Sequence, residues 1–65
     1  MKLHMTRQNG NVETYDVVQA EVFTNVKHAL IVSYSADQVR QLFFVGPEDH
    51  FKAAVVEDGG VETRV

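Results

Sequence analysis

The run Ala29-Leu30-Ile31-Val32-Ser33-Tyr34, followed after a polar break by Leu42-Phe43-Phe44-Val45, decides the fold. Both runs are short and rich in β-branched and aromatic residues. Turn-prone residues, Ser35-Ala36-Asp37-Gln38, separate them. This pattern predicts a central β-hairpin. Neighbours on a strand point to opposite faces. Phe43 and Phe44 therefore part company: one fills the core, and the other needs a cover that a partner chain can supply.

Upstream, Lys2 to Gln8 alternates, with Leu3 and Met5 on one face and His4 and Thr6 on the other, as in a half-buried first strand. Asn9-Gly10 follows, a strong hairpin signal because a type I′ turn needs positive φ at both central positions. Val12 to Val17 is the return strand, with Tyr15 and Val17 facing one way. Val17-Val18 breaks the alternation and predicts a bulge or bend, of the kind that lets a meander curl. Ala20 to Thr24 resumes as a third strand, and Asn25 is the pivot of the next turn. Ala29–Tyr34 and Val39–Val45 are the fourth and fifth strands. Leu30, Val32 and Tyr34 share one side of the fourth.

Gly46-Pro47-Glu48-Asp49-His50 stops the fifth strand. Proline followed by acids is a helix-start signal, so one helical turn is expected near 47–50. A sixth strand begins at Phe51, with Phe51, Ala53 and Val55 on one face. The β-branched pair Val55-Val56 favours strand over helix. The expected fold is all-β: a five- to six-stranded antiparallel meander curled into a small SH3-like or OB-like barrel. An α+β alternative stays open. Ser35 and Gln38 have capping-box spacing, and Val39, Leu42 and Phe43 have helical spacing. That reading gives a short helix over 36–44 and a four-stranded sheet with short C-terminal helices. Residues 1–58 read as a single small β domain and 59–65 as a flexible C-terminal tail.

A chain of 65 residues buries only about 60 % of its unfolded surface and needs help to be stable. It has no cysteine, which rules out disulfides and thiolate metal sites within it. Packing or association must compensate. No apolar run approaches the ~20 residues of a membrane span, and residues 1–7 carry no apolar export segment. The expected compartment is the cytoplasm, with no membrane partner.

Net charge is −3, and all of it lies in the second half. There Asp37, Glu48, Asp49, Glu57, Asp58 and Glu62 outnumber Arg40, Lys52 and Arg64. Nonspecific nucleic-acid binding needs clustered Lys and Arg, so the charge disfavours it. Even so, Tyr15, Phe23, Tyr34, Phe43, Phe44 and Phe51 are the residue types that small β-barrels of the OB and Sm-like kinds use to stack bases. A nucleic-acid-binding barrel is therefore the alternative function.

Chemistry-bearing patterns are sparse. His4, His28 and His50 are widely spaced, unlike the close spacing of metal ligands. Glu48, Asp49 and His50 form the one compact ligand group, and nothing else marks it as a site. No Gly-x-Ser-x-Gly or phosphate-cradling glycine loop is present. Ser33 and Ser35 read as outward strand residues. Neither an enzyme nor a cofactor is expected. The terminal Glu62-Thr63-Arg64-Val65 resembles class I ligands of PDZ domains, which capture a free carboxylate and add the peptide as a strand. This resemblance covers four residues and implies nothing about the rest of the chain.

What remains is a two-faced apolar segment. A sheet with one wet face should alternate with polar residues, and Leu42-Phe43-Phe44-Val45 does not. The expected function is a non-enzymatic protein-interaction module, self-associating through an apolar sheet face or edge as a homodimer. An accessory or inhibitory role fits this size. The partner-binding candidates are Phe43, Phe44, Val45 and Tyr34, with the outward phenylalanine as anchor.

Overall fold

A computed structural model describes residues 1–57 and, for the backbone, 61–64. Its strands are β1 (Lys2–Arg7), β2 (Val12–Asp16), β3 (Gln19–Thr24), β4 (Ala29–Tyr34), β5 (Arg40–Val45), β6 (Phe51–Val56) and β7 (Val61–Arg64). The all-β class holds, and no helix occurs among the described residues. Six strands follow one path through a single sheet, β2-β1-β6-β5-β4-β3, while β7 pairs antiparallel with β6 off that path. Every ladder is antiparallel except one parallel bridge, Val45 to Phe51.

The expected barrel does not form. Closure would need β2 to pair with β3, yet these consecutive strands end at opposite ends of the path. The bend at Val17-Val18 explains why. Val17 N–H donates to the Met1 carbonyl at 3.0 Å, and Val18 N–H donates to the Tyr34 carbonyl at 2.8 Å. Adjacent residues thus bond to different halves of the sheet. One half is β2-β1-β6, and the other is β3-β4-β5.

The inner faces of the two halves meet. Phe43 of β5 lies 4.9 Å from Tyr15 of β2, centroid to centroid, and 5.7 Å edge-on from Phe51 of β6. Such pairs add about 0.5–1.5 kcal/mol beyond the area they bury. Leu3, Met5, Val17, Ala29, Ile31, Val45, Ala54 and Val56 complete the core. A register shift at Thr6/Arg7 leaves Lys52 unpaired against β1. This bulge reverses the alternation within β6. Phe51 is buried together with Ala54 and Val56, rather than with Ala53 and Val55 as simple alternation expects.

The turns correct two further expectations. Gly10 N–H donates to the Arg7 carbonyl at 2.9 Å, and Arg7 N–H to the Asn11 carbonyl at 2.8 Å. Gly10 has φ +93° and Asn9 has no positive φ. The hairpin is there, but it is a three-residue turn with a glycine bulge rather than type I′. Residues 35–39 repeat the device. Gln38 N–H donates to the Ser35 carbonyl at 2.9 Å, and Ser35 N–H to the Val39 carbonyl at 3.1 Å. The Ser35 hydroxyl accepts from Val39 N–H at 3.1 Å. The serine thus caps a turn, and the helix over 36–44 is absent.

Near 47–50 there is a β-turn in place of a helical turn. Asp49 N–H closes on the Gly46 carbonyl at 3.2 Å, with Pro47 at the second turn position, which its fixed φ suits. The side-chain amide of Gln8 donates to the Gly46 carbonyl at 2.6 Å and to that of Asp49 at 3.2 Å. These carbonyls are thereby bound to another segment, and the chain turns directly into β6. In the segment read as a tail, Val61–Arg64 are extended against β6. Residues 58–60 and Val65, and the side chains of the PDZ-ligand-like terminus, lie outside the described residues.

Candidate functional site

The outer face of β3-β4-β5 is built by register alone. Phe23 pairs with Leu30 and Leu30 with Phe44, which makes one row across the three strands. The next row is Glu21, Val32 and Leu42, and the third is Gln19, Tyr34 and Arg40. Phe23 and Phe44 are each 55 % exposed and Leu42 is 50 % exposed. Leu30, Val32 and Tyr34, on the central strand, are half-buried between their neighbours. A shallow groove of about 270 Å³ starts among Phe23, Leu30 and Phe44 and runs toward Asn25 and His28.

The other half of the sheet presents a different outer surface. His4, on β1, hydrogen-bonds Thr14 through Nδ1 and Glu57 through Nε2, both at 2.9 Å. Lys2 pairs with Asp16. Among the described side chains of β1, β2 and β6 on that face, only Val12, Ala53 and Val55 are apolar. That face meets water as an antiparallel sheet should. The β3-β4-β5 face does not, since its middle is aliphatic and aromatic.

Charge on the apolar face is confined to its two flanking strands. Glu21, on β3, accepts a hydrogen bond from the Gln19 amide at 2.9 Å. Arg40, on β5, has no ion pair among the described residues.

At one end of this face the chain is held tightly. The Asn25 side chain accepts from Lys27 N–H at 3.3 Å and from His28 N–H at 3.0 Å, which fixes the β3-β4 turn. His28 Nδ1 lies 3.2 Å from Asp49 Oδ2. Gly46 sits beneath this contact. A Cβ there would come within 2.6 Å of His28 Nδ1 and 2.5 Å of Asp49 Oδ2.

A separate polar cluster ties β1 to β2. Arg7 donates to both carboxylate oxygens of Glu13, and the Tyr15 hydroxyl donates to Glu13 Oε1 at 2.7 Å. The Arg7 hydrogen bond, aided by Tyr15, holds the Glu13 carboxyl below its ordinary value. The Glu13 hydrogen bond and burial push Tyr15 up. Lys2 lowers Asp16 in the same way. These groups brace strands, and none of them lines the groove beside Phe23 and Phe44. No group of three or more His, Asp or Glu side chains placed to hold a metal ion occurs among the described residues.

Of the candidates read from the sequence, Phe43 (8 % exposed) and Val45 (fully buried) belong to the core. In this fold they present little or no surface to a partner. Phe44 and Tyr34 lie together on the outer face. Phe23, Leu42, Glu21 and Arg40 share this face and are not among the partner-binding residues read from the sequence. Their signal is parity: once the three strands are paired, each falls on the same side as Phe44. Ser33, expected outside, is buried because it shares the parity of Ile31. Ser35 is half-buried as a turn cap. No helix among the described residues is long and apolar enough to cross a membrane.

Comparison with protein-family models, curated proteins and solved structures finds no match to this chain.

Proposed function

We propose that this chain is a non-enzymatic protein-interaction module that associates with itself through the outer face of β3, β4 and β5. The row Phe23-Leu30-Phe44 carries the reading: two half-exposed phenylalanines flank a leucine on the outer face of three paired strands. Aromatic side chains dominate the energetics of interfaces. Leaving them in water costs about 25 cal/mol per Å² of apolar area, which a covering surface recovers. The cytoplasm is the compartment that goes with this reading, since the chain has no cysteine to oxidise.

Light scattering on a sizing column tests the proposal, over concentrations from about 1 µM to about 1 mM, where weak interfaces act. The mass should climb from the 7.3 kDa of one chain toward twice that value. A mass fixed at one chain over the whole range overturns self-association.

A further inference from the structure

We infer that the second copy docks about a two-fold axis running along β4, so that Phe23 of each copy covers Phe44 of the other and Glu21 of each meets Arg40 of the other. The inference rests on the self-association proposed above and specifies its register.

The geometry follows from the three rows. A two-fold along the central strand exchanges the flanking strands, so β5 of one copy lies over β3 of the other. The row order is unchanged by that rotation. Phe44 then falls over Phe23, and Leu30 and Val32 fall over their own counterparts. Glu21 falls over Leu42 and Arg40 over Gln19, so Arg40 and Glu21 meet diagonally across one row. Rows are about 7 Å apart along a strand and packed sheets about 10 Å apart, within reach of two long side chains. The twist of each sheet turns the pair by roughly 30° without changing these neighbours.

The charges choose between the possible axes. A two-fold across the strands, centred on Val32, sets Glu21 against Glu21 and Arg40 against Phe44. The axis along β4 instead sets Glu21 and Arg40 near opposite charges, twice per dimer. A face with an acid on one flanking strand and a base on the other is complementary to its own rotated copy.

The area is also of the right order. A buried phenylalanine covers about 150–250 Å², so each half-exposed ring offers on the order of 100 Å². With Leu30, Val32 and Leu42 the apolar centre reaches roughly 300–400 Å² per copy, comparable with the largest patch on a typical monomer. A polar rim brings the pair to about 1,000 Å² in total, the range of weak, reversible complexes.

Charge reversal tests the register. Glu21→Arg and Arg40→Glu are made separately, each is checked for an unchanged far-ultraviolet spectrum, and association is measured at about 50 mM salt, where exposed charges are weakly screened. Each variant alone sets like charges together and should weaken dimerisation about tenfold. An equimolar mixture of the two should restore it to within about threefold of the original, because a mixed dimer pairs Arg with Arg40's replacement and Arg40 with Glu21. If the unaltered chain dimerises but either variant alone is unaffected, or the mixture binds no better than its parts, the register is wrong. If the unaltered chain stays monomeric, the self-association reading fails first.

Discussion

Phe43 and Phe44 are bonded to each other and lie on opposite faces of one strand, 8 % and 55 % exposed. Phe43 fills the space between Tyr15 and Phe51. Phe44 stands opposite Leu30 and is more than half exposed. Equal truncations should therefore have unequal effects. Phe43→Ala should cost about 3–5 kcal/mol, against a total stability of about 3–10 kcal/mol for a chain of this length. Phe44→Ala removes one cross-strand neighbour and should cost no more than about 1 kcal/mol. Urea titration at micromolar concentration reads both. Similar losses for the two variants would contradict the two-faced placement. In the sizing experiment, Phe44→Ala should still fold and lose association.

Gln38 stands in the second bulged turn where Gly10 stands in the first. Its φ of +64° is the left-handed region, which costs an L-residue about 1–2 kcal/mol. Gln38→Gly removes that penalty, partly offset by the larger entropy of an unfolded glycine. The net expectation is a gain of up to about 1 kcal/mol. Gly10→Ala should lose a similar amount. A Cβ at Gly10 meets nothing within 4 Å, so that loss is conformational and not steric. Thermal denaturation of the two variants checks the opposite signs.

These turns also show what the sequence could and could not reveal. Alternation is a local signal, and it locates β1 to β3 to within a residue because one face of each is less exposed than the other, while the apolar run Ala29–Tyr34 locates β4. It also set Phe43 and Phe44 on opposite sides. The Ser35–Gln38 spacing was ambiguous because one hydroxyl can serve a helix start or a turn, and only the backbone hydrogen bonds separate these uses. Closure into a barrel depends on where β2 and β3 finish relative to each other. That is set by the bonds of Val17 and Val18 to different strands, contacts far apart in sequence. Phe23 and Arg40 belong to the apolar face through pairing register, which no single segment contains. Phe44 was legible and its surroundings were not.

Gly46 occupies a position where a methyl group has no room. His28 and Asp49 close over it, and the Lys27 carbonyl would lie 3.2 Å from an added Cβ. Gly46→Ala must part the His28–Asp49 contact and strain the turn that Gln8 holds, at a cost of about 1–3 kcal/mol. Asp49→Ala removes the nearest obstruction. The double variant Gly46→Ala/Asp49→Ala should therefore be more stable than the sum of the two single losses, by about 0.5 kcal/mol or more. Strict additivity in urea denaturation would show that crowding by Asp49 is not the cause.

The Arg7–Glu13–Tyr15 cluster gives stability a pH dependence at both ends. Glu13 titrates lower when folded than its ordinary 4.5, chiefly through the Arg7 hydrogen bond, and Lys2 lowers Asp16 from 3.8. A carboxyl depressed by folding contributes stability that is complete above its unfolded value and lost as pH falls through its folded value. Tyr15 is raised above 10.0, first by the hydrogen bond it donates to Glu13. A group raised by folding contributes stability that is complete below its unfolded value and lost as pH rises through its folded one. The melting temperature should thus fall below about pH 4 and again above about pH 10. Tyr15→Phe keeps the ring packed on Phe43 but removes the hydroxyl, so its alkaline decline should be shallower. Glu13→Gln should flatten both limbs, leaving Asp16 to account for the remaining acid loss. Melting curves collected across this range decide the point, and a Glu13→Gln acid limb as steep as that of the unaltered chain would show that the cluster is not its source.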